Sequence, residues 1–206
     1  MHPLRPALAS ETDSLVELLC RAFADDPIVN WIVRRDAQRE AGLRAFFRMW
    51  VALRAPMPGQ VVTSEGCRGV MLWMPSEDVQ PTLSQQFGVA AEFLRYAGLT
   101  RVPALLRFFS AAERAHPHHP HVYVQFIATD DSTRGTGLAF AFLQHAIDIA
   151  DAHARPLYAE TSNPMNLPIW ARAGLVESGT LQLGSGAPRV WQLTRPCSGD
   201  SSVADS

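Results

Sequence analysis

The chain of 206 residues has no lysine, and all 18 of its basic residues are arginine. That absence excludes a P-loop nucleotide site built on the usual Walker lysine. It also excludes a Schiff-base enzyme, which needs an amine nucleophile. A GC-rich genome is a sufficient reason for the bias. Cysteine is scarce as well: Cys20, Cys67 and Cys197 are odd in number and far apart. They argue against a disulfide framework or a zinc knuckle, and for reduced thiols in a cytoplasmic setting. Net charge is low, at -2 with a pI near 6.4, so there is no basic footprint and no nucleic-acid partner is expected. No apolar run reaches the roughly 18 residues that a membrane-spanning helix needs. Glu11 and Asp13 precede any long apolar run, so the N-terminus does not read as a secretory signal.

What remains is an ordinary globular composition, 47% hydrophobic and 18% charged. At this length roughly 70% of the unfolded surface can be buried, so one core suffices without staples or metals. We expect a single domain over residues 1–195 and a small, polar, disordered tail over 196–206. Pro3–Leu8 reads as a first strand. Ser10 or Thr12 can cap a helix in which Leu15, Val16, Leu19, Ala22 and Phe23 recur at helical spacing, ended by Asp25-Asp26-Pro27. Helices are expected at 35–54, 83–96, 103–115, 137–153 and 166–173. Strands are expected at 61–63, 69–74, 121–128 and 156–161, with a closing hairpin over 175–183 and 189–194. The order predicts a mixed α/β domain of the α+β type, with about six to seven strands in a central sheet flanked by helices. The 121–161 crossover should be parallel and right-handed.

Chemistry concentrates in Phe126-Ile-Ala-Thr-Asp-Asp-Ser-Thr-Arg-Gly-Thr-Gly-Leu-Ala-Phe140. A strand ends, a polar turn carries Arg134, Gly135 and Gly137, and a helix starts. Unpaired N–H groups and a positive dipole end at that start can cradle a phosphate. Glycine permits close approach of an anion, although a strand-to-helix turn also uses glycine for positive φ alone. Phe140 stands where a dinucleotide fingerprint would need a third glycine.

Arg134-x-x-Gly137-x-Ala139 is similar to the Arg/Gln-x-x-Gly-x-Gly/Ala signature of the GNAT superfamily of acyl-CoA-dependent N-acetyltransferases. Ala22–Pro27 and Gly69–Pro75 resemble the end of the first helix and the third strand of that family. Glu160-Thr-Ser-Asn-Pro-Met-Asn-Leu-Pro-Ile-Trp-Ala-Arg-Ala-Gly-Leu175 resembles one stretch of the branch that includes puromycin N-acetyltransferase, as does Gly186–Trp191. The likeness spans about residues 3–195. It implies a GNAT-like domain that uses acetyl-CoA as cosubstrate and no metal. Ile127, Ala128 and Thr129 would then meet the pantetheine arm. Arg134, Gly135, Thr136, Gly137, Leu138 and Ala139 would form the pyrophosphate loop, with Asn163 and Asn166 contacting the coenzyme from the next turn. The expected reaction is direct transfer to a primary amine of a small molecule in a ternary complex, by a monomer or homodimer.

Glu160 is the expected general base, with a strand-end carboxylate bonded to the Asn163 turn as the alternative reading. Trp170 stands where the family usually has an acidic tyrosine, and an indole N–H donates but does not titrate usefully. Ser162, Tyr158 or water would then supply the proton; otherwise the domain binds acyl-CoA without efficient transfer. A peptide N-terminus is the other acceptor open at this point. Asp26 and Trp31 are expected to border the acceptor amine, against a simpler reading of an acidic turn after the helix. Tyr123 and Gln125, on one strand face with Ile127, would line the acceptor side or pack in the core. His116 to His121 holds four histidines interrupted by prolines, which reads as a solvated loop rather than a metal site, although one of them can still reach the acceptor pocket. Phe46, Phe47, Trp50 and Leu53 read as core. The bulky set at Phe87, Phe93, Leu94, Tyr96, Leu105, Leu106, Phe108 and Phe109 reads as a pocket wall or a dimer face.

Overall fold

The computed structural model describes residues 2–78 and 96–197, with the side chain of Leu105 left aside. Its elements are β1 (Leu4–Pro6), α1 (Thr12–Ala22), α2 (Pro27–Ile32), α3 (Arg39–Arg54), β2 (Val61–Ser64) and β3 (Gly69–Pro75). Then follow α4 (Val102–Ala115), β4 (Val122–Thr129), α5 (Leu138–Ala152), β5 (Leu157–Thr161), α6 (Leu167–Arg172), β6 (Val176–Thr180) and β7 (Trp191–Arg195). The expected helix at 83–96 lies outside the described residues except for its last residue, and so does the tail from 198 onward.

Seven strands form one mixed sheet in the order β1-β2-β3-β4-β5-β7-β6, as expected for strand number and class. Among them only β4 and β5 pair in parallel. One sheet face carries α1, α2 and α3, whose Leu15, Leu19, Ile32 and Phe47 are buried against Val70, Leu72 and Ala128. The other carries α5 and α6, with Phe142, Ala146 and Trp170 against Met71, Val124 and Leu193. Each helix thus buries one apolar stripe on a sheet, and the two cores lie on opposite faces.

Two local expectations are corrected. Neither Ser10 nor Thr12 caps α1. The Thr12 hydroxyl donates to the Ala9 carbonyl at 2.9 Å, and Glu11 accepts from the Leu8 N–H at 2.8 Å, so a short 3-10 turn leads into the helix. Asp26 does more than end α1. Its Oδ1 accepts from the N–H groups of Ile28 at 3.1 Å and Val29 at 3.0 Å, with Pro27 in the first turn, and so starts α2.

A third correction bears on the site. Leu72 pairs with Phe126, but Trp73 pairs with Val124, so Gln125 is an extra residue on β4. Such a bulge shifts the side-chain alternation by one. Val122 and Val124 face α5, and so does Ile127 beyond the bulge, whereas Phe126 and Ala128 face α1 and α3. Tyr123 turns instead toward α4, its ring 5.2 Å from that of His116. Tyr123 and Ile127 therefore do not share a face.

Candidate active site

The β4–β5 ladder holds only from Val122/Leu157 to Val124/Ala159, although the strands run on to Thr129 and Thr161. Beyond Val124 the edge of β4 that faces β5 has no strand partner among the described residues, so its backbone groups stay available to an extended ligand. A cleft of about 820 Å³ opens there. Of the residues expected at the site, Asp26, Tyr123, Gln125, Ile127, Glu160, Ser162, Asn166 and Trp170 line it.

Past the end of β4 the chain turns through Asp131–Thr133 and reaches α5 by way of Gly135 and Gly137, at φ 78° and 84°. A side chain at either would be strained by the backbone alone, since a Cβ there would meet no atom within 4 Å. The space over the loop is thus open, and Gly135, Thr136 and Gly137 are exposed. The Ala141 N–H makes the first bond of α5, to the Gly137 carbonyl at 2.9 Å. The N–H groups of Leu138, Ala139 and Phe140 precede it and have no partner within the helix. Arg134 is exposed and pairs with Asp131 at 2.9 Å. The loop therefore fits an anion such as a pyrophosphate, in backbone conformation and in room.

Glu160 lies deep in the cleft wall, with part of its surface still open. Burial pushes its carboxyl up to about 7, against the opposing effect of a bond from the Tyr158 hydroxyl. That bond is 2.7 Å long and ends on Oε1. Gln192 Nε2 donates to the Tyr158 oxygen at 2.7 Å and to the Ala115 carbonyl at 2.8 Å. A carboxylate of this kind is fixed by one bond and titrates near neutrality, which suits a general base. Tyr158 is buried, and burial and the Glu160 charge both raise its hydroxyl, so it is a donor to Glu160 and not an acid near neutrality.

Ser162 Oγ donates to Asp26, 3.0 Å from Oδ1 and 3.1 Å from Oδ2, and accepts from the Ile28 N–H at 3.1 Å. The pair ties the end of β5 to the start of α2. Burial raises the Asp26 carboxyl, and its hydrogen bonds offset part of that rise. Asn166 reaches the cleft, whereas Asn163 spends its Oδ1 on the Met165 N–H at 3.0 Å, capping the turn before α6. Trp31 is buried in the core on the α1 face and does not line the cleft, contrary to its expected place beside the amine. Trp170 is nearly buried at the cleft wall.

Part of the wall comes from residues whose sequence pattern predicts core, or a pocket wall or dimer face. Phe46 and Trp50 pack on Phe126, the first edge-to-face at 6.1 Å between ring centres and the second tilted at 6.3 Å, and both reach the cleft together with Phe108 and Phe109. Leu106 points outward. Asp26, Glu77, Glu113 and Glu160 line the cleft, while none of its described lining residues is arginine. Glu77 is matched by Arg155 at 2.8 Å. Sequence reasoning missed Gln192, which no motif marks. No cluster suited to a metal ion occurs among the described residues.

No family model matches the sequence. Solved structures do match it. An acetyltransferase of Corynebacterium glutamicum, described with histone acetyltransferase HPA2, is 25% identical; the match covers 96% of this chain and 97% of that one, at a TM-score of 0.73. The Drosophila melanogaster polyamine N-acetyltransferase, which forms N-acetylagmatine, is 16% identical over 94% and 99% of the two chains, at 0.64. A chain of the NatC complex, solved with a Gag peptide and CoA, is 13% identical over 95% and 99%, at 0.54. The chain has the GNAT fold of the acetyl-CoA-dependent N-acetyltransferases.

Proposed function

We propose that this protein transfers the acetyl group of acetyl-CoA to the primary amine of a small molecule, by direct attack in a ternary complex. The observation that carries the reading is the wedge between β4 and β5, with the open glycine loop at one end and a carboxylate near pKa 7 in its wall. Ile127, Ala128 and Thr129 would hold the pantetheine arm along the unpaired edge of β4. Arg134 to Ala139 would hold the pyrophosphate, and Asn166 would meet the coenzyme from its turn. Acetyl-CoA supplies the activated acetyl group.

The residues of the chain do the rest. Glu160 accepts the amine's proton on the carboxylate oxygen that Tyr158 leaves unbonded. An N–H of Ile127 or Ala128 on the strand edge steadies negative charge developing on the acetyl oxygen. Trp170 can donate a hydrogen bond to the departing sulfur but not a proton. The Ser162 proton is already engaged by Asp26, so Ser162 positions that carboxylate, and water is the better proton source. Cys20, Cys67 and Cys197 do not line the cleft, in keeping with direct transfer rather than an acyl-enzyme.

The acceptor we infer is a cationic amine on an apolar or aromatic body. Asp26, Glu113 and Glu160, which have no arginine partner among the described residues, attract an ammonium, and the Phe and Trp wall accepts the rest. Of the neighbours named above, one forms N-acetylagmatine and another was solved with a bound peptide. The test is initial-rate kinetics of thiol release with acetyl-CoA and a panel of amines. Intersecting double-reciprocal lines with an acetylated product agree with the reading, whereas parallel lines or no product contradict it. Trp170 motivates one competing reading, a domain that binds acyl-CoA without efficient transfer. Tight acetyl-CoA binding with no product from any amine would favour it.

A further inference from the structure

His116 and His121 form a pair whose protons can be assigned from their partners. His121 Nδ1 lies 2.8 Å from the His119 carbonyl, which can only accept, so Nδ1 carries the proton. His121 Nε2 is then a lone pair, and it lies 3.0 Å from His116 Nε2. His116 Nε2 must donate to it, which leaves His116 Nδ1 as the lone pair at the end of the chain. His121 is fully buried, while His116 is half-buried and lines the cleft. No donor among the described residues meets His116 Nδ1. The His116 ring is held edge-on by Tyr123 at 5.2 Å and Tyr158 at 5.1 Å. Gln192 anchors the preceding residue, Ala115, and Tyr158 together, so the ring is set beside the support of Glu160.

We propose that His116, locked by His121, is a specificity-determining residue: its Nδ1 is a fixed, neutral acceptor that selects amines carrying a second hydrogen-bond donor, such as a hydroxyl. Burial holds the His116 imidazole down to about 4 and lowers that of His121, so near neutrality the pair carries no charge. The second donor is recognised as a neutral group, separately from the ammonium that the carboxylates attract. This inference rests on the acceptor reading above. It goes beyond it by assigning the substrate two polar points, one for Glu160 and one for His116.

The test compares matched probes: tyramine against phenethylamine, and ω-amino alcohols against alkylamines of equal chain length. A neutral hydrogen bond of ordinary strength predicts that kcat/KM favours at least one hydroxylated partner by about 3- to 10-fold. His116→Phe removes that preference while still acetylating the partner without the hydroxyl. His116→Gln, which offers an acceptor again, restores part of it. His121→Phe frees the His116 tautomer and weakens the preference. A second readout needs no turnover: nitrogen NMR of the imidazoles should show Nδ1 of His116 unprotonated and shifted by the hydroxylated probes alone. If wild type acetylates neither probe but that shift appears, the pair's role stands and the transfer reading fails. A preference of the same size in His116→Phe, or His116 resonances that do not distinguish the probes, would overturn the proposal.

Discussion

Glu160 should lower stability while supporting turnover, and the two effects can be separated by pH. Its carboxyl is raised from 4.5 to about 7, chiefly by burial. The folded state therefore binds this proton more tightly than the unfolded chain does. The cost of ionising it in place is absent below about pH 4.5 and complete above about pH 7. Over that interval the cost reaches about 3 kcal/mol as an upper figure, since each unit is worth roughly 1.4 kcal/mol. Glu160→Gln keeps an acceptor for the Tyr158 hydroxyl and cannot ionise. At pH 8 it should melt on the order of 5–10 °C above wild type, and the gap should close toward pH 5. Its kcat/KM should fall about 10²- to 10⁴-fold, the usual worth of a general base. The wild-type kcat/KM should rise with pH through about 7, and the variant should lose that inflection while keeping any that belongs to the amine. The assays are thermal melts across pH and thiol release with a saturating second substrate. A variant with the wild-type pH profile and no gain in melting temperature at pH 8 would refute the reasoning on both counts.

The other predictions concern the loop, the missing acid and the strap to α2. Gly137→Ala should cost about 1–2 kcal/mol from its positive φ without a clash, and Gly137→Glu should in addition weaken acetyl-CoA binding at least 10-fold; melts and calorimetry read the two. Trp170→Tyr, which introduces a group that can donate a proton to sulfur, should raise kcat and leave acetyl-CoA affinity within about 2-fold if proton delivery limits turnover. Stopped-flow acetyl transfer, with wild type and the variant each in excess of coenzyme, measures it. Ser162→Ala removes the hydroxyl from Asp26 and Ile28 and should cost about 1–3 kcal/mol in denaturant melts, because a partly buried carboxylate loses a donor.

The strands and long helices were legible because their apolar spacing repeats: α1, α3, α5, β3 and β4 fall within a few residues of their expected bounds. The glycine loop was legible because positive φ leaves glycine as its signature. α2 was not, since six residues after a proline carry too little periodicity, and Asp26 looked like the end of one helix rather than the cap of the next. The bulge at Gln125 was invisible because an unbroken alternation gives no sign of an extra residue opposite Leu72 and Trp73. That single residue moves Tyr123 and Ile127 to different faces. Trp31 resembled a site residue by its nearness in sequence to Asp26, yet the turn of α2 carries it into the core. His116 could not be placed because it meets Tyr123 and Tyr158 only through the packing of α4 on the sheet, and Gln192 because it reaches Tyr158 only through the pairing of β7 with β5.

The central claim is that the loop and the strand wedge receive acetyl-CoA. Calorimetric titration of acetyl-CoA into the protein, alongside Gly137→Glu, tests it most directly. The account predicts one site per chain with wild type and affinity reduced at least 10-fold in the variant, with both proteins melting as folded domains. No heat of binding up to millimolar coenzyme, or equal affinity in the two proteins, would contradict it.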